Sequence, residues 1–250
     1  MQIKIEGLAQ GYGNKTVFSG VSMDIGPGIT ALIGENGAGK TTFLRTLITQ
    51  LRPKAGRILY DDAVPGTARA RRNLRERIGY LPQEYEADSR FTVEDILHYT
   101  AWMKGASSRA DFDAILKLVD LSESRTTKYG KLSGGMKRRA AIASAVVTDP
   151  DLVVLDEPTV GLDPAQRIRF RALLDKIRDK TVIVSTHLIE DVVASADRVV
   201  VLSNHGVAFQ GTPDELAARS VVAAAPGAPQ LGKLEQIEQS FLQLIGESNV

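Results

Sequence analysis

The chain has 250 residues, of which 43% are hydrophobic and 24% are charged. That length can bury a substantial core, as one large domain or two small lobes, and the composition excludes an intrinsically disordered chain. The 31 basic and 30 acidic side chains leave a net charge of +1, so no positive field favours a nucleic-acid partner and we expect none. Cysteine is absent, which excludes disulfide and thiol chemistry and suits a reducing cytosol.

The first elements predicted along the chain are strands. Three short apolar runs, Ile3–Leu8, Val17–Ile25 and Ile29–Ile33, are separated by glycine-containing turns, which indicates an antiparallel β region. The N-terminus lacks the apolar block of a signal peptide, and no apolar run approaches the roughly 20 residues that a spanning helix needs. We therefore expect a cytoplasmic protein that does not itself span a membrane.

A glycine-rich loop follows the third apolar run, and helically spaced apolar residues follow the loop. In the order strand, loop, helix, the pattern G-x-x-x-x-G-K-[ST] predicts a phosphate site, because N–H groups of the loop and the helix N-terminus surround phosphate oxygens. We expect Lys40 to reach the β- and γ-phosphates of a nucleoside triphosphate and the Thr41 hydroxyl to ligate its Mg²⁺. A glycine turn in an ordinary βα unit is the alternative. The loop residues are Gly34, Glu35, Asn36, Gly37, Ala38, Gly39, Lys40, Thr41 and Thr42.

Two strands and a basic run come next. Gly56–Tyr60 and Ile78–Leu81 have the composition of strands. The arginines between them could grip phosphates, but Glu76 lies among them and aromatic residues are missing, which favours a solvated helix face. Gln83 follows the second strand, where its amide oxygen can coordinate the metal and hydrogen-bond the attacking water.

Residues from about 84 to 147 predict an inserted block of helices. Thr92–Asp95 is typical of a capping-box start, Phe112–Val119 is amphipathic, and Met136–Val147 is stopped by Asp149-Pro150. The third helix follows Leu132-Ser133-Gly134-Gly135, so its N-terminus offers N–H groups to an anion without a lysine of its own. Because it lies in a different lobe from the glycine loop, we expect it to serve a second nucleotide in a head-to-tail dimer.

Two carboxylates follow a buried strand. Leu152–Leu155 is an unbroken apolar run, typical of a strand covered on both faces. Ligands of such sheets bind beyond the carboxyl ends of the strands, so we expect Asp156 to hold Mg²⁺ and Glu157 to orient or deprotonate the attacking water. A plain polar turn is the alternative.

The last third of the chain predicts a helix at Pro164–Arg178 and a strand at Val182–Val184. His187 follows that strand, at the sheet edge where it could contact a γ-phosphate. Closing strands and a capped helix starting at Thr212 come after it. We expect residues 221–250 to form a linker and an amphipathic helix, whose apolar face packs on its own domain or on a partner helix.

The order of these motifs is similar to that of the ATP-binding cassette subunit of ABC transporters, over roughly residues 1–220. The resemblance implies an α/β P-loop NTPase fold with a mostly parallel sheet, an N-terminal antiparallel β subdomain and an inserted α-helical subdomain. The string from Leu132 to Arg139 resembles exporter-type, ABC-2-like cassettes whose membrane subunit is a separate chain. The matching motifs are the glycine loop, Gln83, Leu132–Gly135, Leu155–Pro158, Gly161–Asp163 and His187.

The resemblance also implies roles for individual residues. Tyr12 would stack on adenine, and Asp163 would lie in a loop that crosses the dimer interface. Gln83 would couple the site to a membrane partner, and His187 would be the switch histidine. Ser133, Gly134 and Gly135 would contact the γ-phosphate held by the opposite subunit. Met136 stands where many members have glutamine, so a hydrogen bond to the nucleotide is lost there.

These observations predict an ATPase subunit that dimerises on ATP and drives transport through a separate integral membrane subunit, bound at its cytoplasmic face. We expect a homodimer with two composite sites. One alternative is a soluble cassette ATPase acting on nucleic acid or ribosomes, although such proteins usually carry two cassettes or long coiled-coil insertions. Another is a regulatory ATP-binding module with little turnover, but Glu157 and His187 are both in place.

Overall fold

A computed structural model describes residues 1–106, 110–203, 206–220 and 232–246. The chain divides into two compact units. We call the one that holds Met1–Val64 and the chain from Thr181 onward the terminal unit, and Pro65–Lys180 the middle unit. The predicted linker after residue 220 lies outside the described residues.

The described secondary structure alternates between strands and helices. The strands are β1 (Ile3–Tyr12), β2 (Lys15–Ile25), β3 (Gly28–Gly34), β4 (Ala55–Tyr60), β5 (Ile78–Leu81), β6 (Leu152–Asp156), β7 (Thr181–Thr186), β8 (Arg198–Ser203) and β9 (Gly206–Gly211). The α-helices are α1 (Lys40–Leu47), α2 (Ala68–Glu76), α3 (Val93–Met103), α4 (Phe112–Leu118), α5 (Gly134–Val146), α6 (Pro164–Lys176), α7 (Ile189–Ser195), α8 (Pro213–Ala217) and α9 (Lys233–Gly246). Among these described helices, none combines the length and the apolar character that crossing a membrane requires.

The terminal unit contains an antiparallel sheet in the order β2-β1-β4, as the alternating N-terminal pattern predicts. Ile3 is the register partner of both Ile25 and Tyr60, so β1 lies in the centre. Ile3, Ile5 and Leu8 are buried while Lys4 between them is exposed. This alternation gives the sheet one apolar face and one solvated face.

Strand β3 belongs to a different sheet from β1 and β2, which corrects its assignment to the antiparallel region. It pairs in parallel with β7 on one side and β8 on the other, and β9 runs antiparallel to β8. From Ile29 to Gly34 every residue of β3 is buried. An unbroken apolar strand of this kind suits the middle of a parallel sheet rather than a half-solvated antiparallel one.

The C-terminal helix α9 packs on the terminal unit itself, which is one of the two alternatives for its apolar face. Ile237 and Leu244 lie in a core cluster with Val199, Val201 and Leu216 from β8 and α8. Helix α7 was not predicted, because its seven residues give too short an apolar pattern to recognise.

In the middle unit, β5 and β6 pair in parallel, and helices α2 and α5 contact β5. The described residues between those two strands contain α3, α4 and α5 but no further strand, as the helical pattern predicts. Helix α2 carries the basic run and buries only Leu74, which confirms a solvated helix face. Helix α5 starts at Gly134, two residues before the predicted Met136, because Ser133 caps it.

Candidate functional site

The glycine loop between β3 and α1 has the backbone that a phosphate site needs. Gly39 is the N-cap of α1 with φ of 94°, and no side chain caps the helix. That left-handed conformation favours glycine, and a Cβ on Gly39 would lie 2.5 Å from Cγ1 of Val17. A helix start without a side-chain cap leaves room for an anion to satisfy its first N–H groups.

Lys40 is buried within this loop, with only 7% of its surface exposed. Its Nζ donates hydrogen bonds to the carbonyl oxygens of Gly34, at 2.8 Å, and Glu35, at 3.1 Å. The ammonium group therefore lies inside the curve of the loop, where it adds positive charge to the helix N-terminus. Thr41 and Thr42, at the first turn of α1, are half-buried.

Tyr12 lies beside the first turn of α1. Its hydroxyl is 3.4 Å from Oγ1 of Thr42, and 53% of the residue is exposed. The structure thus brings together the predicted stacking tyrosine and the predicted phosphate loop, with the ring accessible from solvent. His187 is exposed too, directly after β7, at the edge of the sheet where the loop follows β3.

In the middle unit, Gln83, Asp156 and Glu157 lie at the carboxyl ends of the two parallel strands β5 and β6. Leu81 and Leu155 are register partners on β5 and β6, so the segments that follow them start side by side. Asp156 is fully buried and Glu157 is 6% exposed, whereas Gln83 is exposed. Glu157 has φ of 49°, which turns the chain sharply after the strand. Asp156 therefore lies at the end of the strand and Glu157 in the turn that follows it.

Arg138 joins these segments and was missed by the sequence analysis. From α5 its guanidinium donates hydrogen bonds to the backbone carbonyls of Asp156, Glu157, Pro158 and Gln83. A useful sign in the sequence is that only Arg139 separates Arg138 from the buried run that begins at Ala140 on α5. Burial lowers the pKa of Arg138, while the charges of Asp156 and Glu157 oppose that shift. The guanidinium stays protonated in any case.

The predicted anion site at the start of α5 is accessible. Oγ of Ser133 accepts a hydrogen bond of 3.3 Å from the backbone N–H of Met136 and so caps the helix. Ser133 and Gly134 are exposed, while Gly135 is buried. A Cβ on Gly135 would lie 2.2 Å from Nε2 of Gln166, so a larger residue here would have to displace the Gln166 side chain.

Gln166 is a second residue that the sequence analysis missed, and it connects Asp163 to the start of α5. Oδ1 of Asp163 accepts from the Gln166 N–H at 2.8 Å, and Oε1 of Gln166 accepts from the Asp163 N–H at 3.2 Å. This capping box starts α6, and the Gln166 side chain then covers Gly135. The spacing Asp-x-x-Gln with Pro at the first helical position was a recognisable sign of it.

The predicted residues are thus grouped by unit. In the terminal unit, the tyrosine, the glycine loop and the histidine lie around the ends of β3 and β7. In the middle unit, the glutamine and the acids meet through Arg138, and the start of α5 meets the start of α6 through Gln166.

Comparison with known proteins identifies similar chains. A family model described as "ABC transporter" matches residues 18–160. A Nod factor export ATP-binding protein I from Burkholderia orbicola is 39% identical over 223 residues, which are 86% of this chain and 72% of that protein. A solved ATP-binding subunit of an ABC transporter superposes with a TM-score of 0.79 at 24% identity, over 98% of this chain and 99% of the other. A Clostridium perfringens protein described as part of an ABC transporter complex gives a TM-score of 0.75 at 29% identity, over 89% of this chain and 92% of the other.

Proposed function

This chain belongs to the ABC transporter family as an ATP-binding and ATP-hydrolysing subunit, and from that premise we propose the role of each site residue. The observation that carries the proposal is the glycine loop, with its uncapped helix start and its buried Lys40. ATP places its phosphates in this loop. Lys40 exchanges its hydrogen bonds to Gly34 and Glu35 for bonds to phosphate oxygens, and the exposed ring of Tyr12 stacks on the adenine base.

When bound with the nucleotide, Mg²⁺ would supply positive charge that neutralises the phosphates. The residues that would hold it are Thr41, Gln83 and Asp156. Their hydroxyl, amide and carboxylate oxygens are the donors that Mg²⁺ prefers, and the fully buried carboxylate of Asp156 suits a cation partner.

Hydrolysis requires a base for the attacking water and a group that stabilises the negative charge on the phosphate in the transition state. Glu157 orients or deprotonates the attacking water, and its low exposure limits competition from bulk solvent. His187 contacts the γ-phosphate, and Gln83 hydrogen-bonds the attacking water. The exposure of His187 and Gln83 supports these roles, because both side chains can reach a ligand.

A second copy of the chain completes each site in a head-to-tail homodimer. The exposed start of α5, Ser133-Gly134-Gly135, contacts the γ-phosphate held by the partner copy, and Asp163 lies at the interface. ATP then favours the closed dimer, since the contacts of this helix start are available only there.

The dimer acts on a separate integral membrane subunit from its cytoplasmic face, as the export role in the name of the Burkholderia relative suggests. Tyr99, Trp102 and Met103 on α3 are 52%, 67% and 62% exposed, a concentration of apolar surface suited to a protein partner. Replacing Tyr99 and Trp102 by serine should abolish co-purification with a membrane protein in mild detergent. The same change at Leu242, which is 60% exposed on α9, should not. Equal recovery of the membrane protein with both variants would contradict this surface assignment.

The catalytic assignment is tested by Glu157→Gln in the presence of ATP and Mg²⁺. The variant should bind ATP, accumulate as a dimer in size-exclusion chromatography with light scattering, and hydrolyse ATP at least about 100-fold more slowly than the parent. The Glu157→Gln, Ser133→Arg double variant should remain monomeric, because it lacks the partner contact. Hydrolysis by Glu157→Gln at the parent rate would contradict the role of Glu157 as base.

A further inference from the structure

Arg138 makes an unusual set of contacts for a side chain that bears a charge. Its Nε donates to the carbonyl of Pro158 at 2.8 Å, and its Nη2 donates to those of Asp156 at 3.2 Å and Glu157 at 2.6 Å. Its Nη1 donates to the carbonyl of Gln83 at 3.3 Å. A planar guanidinium can serve diverging acceptors in this way, whereas a lysine ammonium is a compact point charge on a flexible stem.

The turn that Arg138 contacts has a strained backbone. Glu157 is not glycine, yet its φ of 49° lies in the left-handed region, which is unfavourable for a residue that has a Cβ. Such a conformation persists only when its surroundings hold it. The carbonyls on both sides of this residue and its own carbonyl all accept from the one guanidinium. The direction of the Glu157 carboxylate depends on that backbone conformation.

We propose that Arg138 is a positioning residue for hydrolysis, which fixes the turn at Asp156–Pro158 and so aims the carboxylate of Glu157. The inference rests on the proposed role of Glu157 as base. Arg138 lies on α5, five residues after the N-cap Ser133, and it also contacts the Gln83 segment. It therefore ties the turn that carries the base to the helix whose start contacts the partner's nucleotide.

The adjacent Arg139 provides a matched control on the same helix. Its Nη1 donates to the carbonyls of Val119 and Asp120, at 3.1 and 2.6 Å, and to the Asp120 carboxylate at 2.8 Å. It thus also tethers α5 to backbone carbonyls, but at the end of α4 rather than at the turn. A loss of helix tethering alone should affect variants of the two arginines alike.

The experiment compares Arg138→Lys and Arg138→Gln with Arg139→Lys and Arg139→Gln in the full chain. Both Arg138 variants should lower kcat for ATP hydrolysis about 10- to 100-fold and change KM for ATP less than about threefold. A misplaced Glu157 carboxylate slows the reaction more than it weakens ATP binding. The Arg139 variants should keep kcat within about twofold of the parent. Parent-like kcat in the Arg138 variants, or equal losses at the two arginines, would overturn the proposal.

A double-mutant cycle supplies a readout that a purely structural role would not give. If Arg138 acts through Glu157, then Arg138→Lys should not reduce the residual rate of Glu157→Gln further, and the ATP-bound dimer of that variant should still form. A further loss of the same size in the Glu157→Gln background would overturn the positioning role. Parent-rate hydrolysis by Glu157→Gln alone would instead overturn the assignment of Glu157, so the two failures are distinguishable.

Discussion

Ile33 and Thr186 are register partners on the adjacent parallel strands β3 and β7. The glycine loop follows Ile33 and His187 follows Thr186, so two segments distant in the sequence leave the same edge of one sheet. In parallel sheets that edge is where ligands bind. The pairing is consistent with the proposed contact between His187 and a phosphate bound in the loop.

His187→Ala should lower kcat for ATP hydrolysis about 100- to 1,000-fold, because it removes one donor that stabilises charge in the transition state. ATP affinity should change little, since the loop and Lys40 remain. Steady-state kinetics and equilibrium binding of ATP would measure the two effects. His98→Ala is the control, because His98 is an exposed histidine whose Nε2 lies 3.5 Å from Oε1 of Glu94 on the same helix. Equal kcat for the parent and His187→Ala would remove His187 from the site.

Lys40 and Ser133 offer a direct test of the composite site. Lys40→Ala removes the ammonium group that faces the phosphates, and Ser133→Arg blocks the exposed start of α5, so each variant alone should lose at least about 100-fold in ATPase rate. In a mixed head-to-tail dimer, one site keeps an intact glycine loop from one copy and an intact helix start from the other. An equal mixture should therefore recover up to about a quarter of the parent rate by random pairing.

Recovery would also show that both variants are folded, since each supplies half of the working site. Ser133→Arg alone should still bind ATP, because its own loop is intact. A mixture no more active than its components, formed from variants that still associate, would contradict the head-to-tail arrangement.

The sequence predicted the elements around the site well because their patterns are local. The loop Gly34–Thr42, the capping box at Thr92 and the apolar strand before Asp156 each depend on neighbouring residues. Strand pairing is not local, and β3 was therefore grouped with the strands nearest in sequence rather than with β7 and β8. Arg138 was missed for the same reason, since the carbonyls that it contacts lie at least 18 residues away. The capping box of Gln166 with Asp163 is local, but its approach to Gly135 is not, since 31 positions separate the two residues.

The packing of α9 predicts that alanine substitutions at two of its apolar residues change the free energy of unfolding by very different amounts. Ile237 is fully buried in the cluster with Val199 and Leu216, whereas Leu242 is 60% exposed. Ile237→Ala should lower the free energy of unfolding by about 2–5 kcal/mol, because it leaves a cavity in that core. Leu242→Ala should change it by no more than about 0.5 kcal/mol. Urea denaturation would measure both, and similar values for the two variants would contradict the packing of α9 on its own unit.

The lowered pKa of Lys104 predicts that the free energy of unfolding rises at alkaline pH. It follows α3 and donates a hydrogen bond to the carbonyl of Ile78, and burial lowers its pKa from the ordinary 10.5 to about 8. Below pH 8 the folded and unfolded states both carry this proton, so the group gives no pH dependence there. Between about pH 8 and 10.5 the unfolded state holds more protons than the folded state, so the free energy of unfolding rises with pH, by at most about 1.4 kcal/mol per pH unit.

Lys104→Met should remove this rise, whereas Lys117→Met, which replaces an exposed lysine on α4, should preserve it. Urea denaturation between pH 7.5 and 10 would give the free energy of unfolding of the parent and both variants. The range ends near pH 10 because burial raises the pKa of Tyr60 and Tyr129, whose titration lowers stability above that pH. Parallel pH profiles for the parent and Lys104→Met would show that Lys104 does not exchange its proton between the two states in this range.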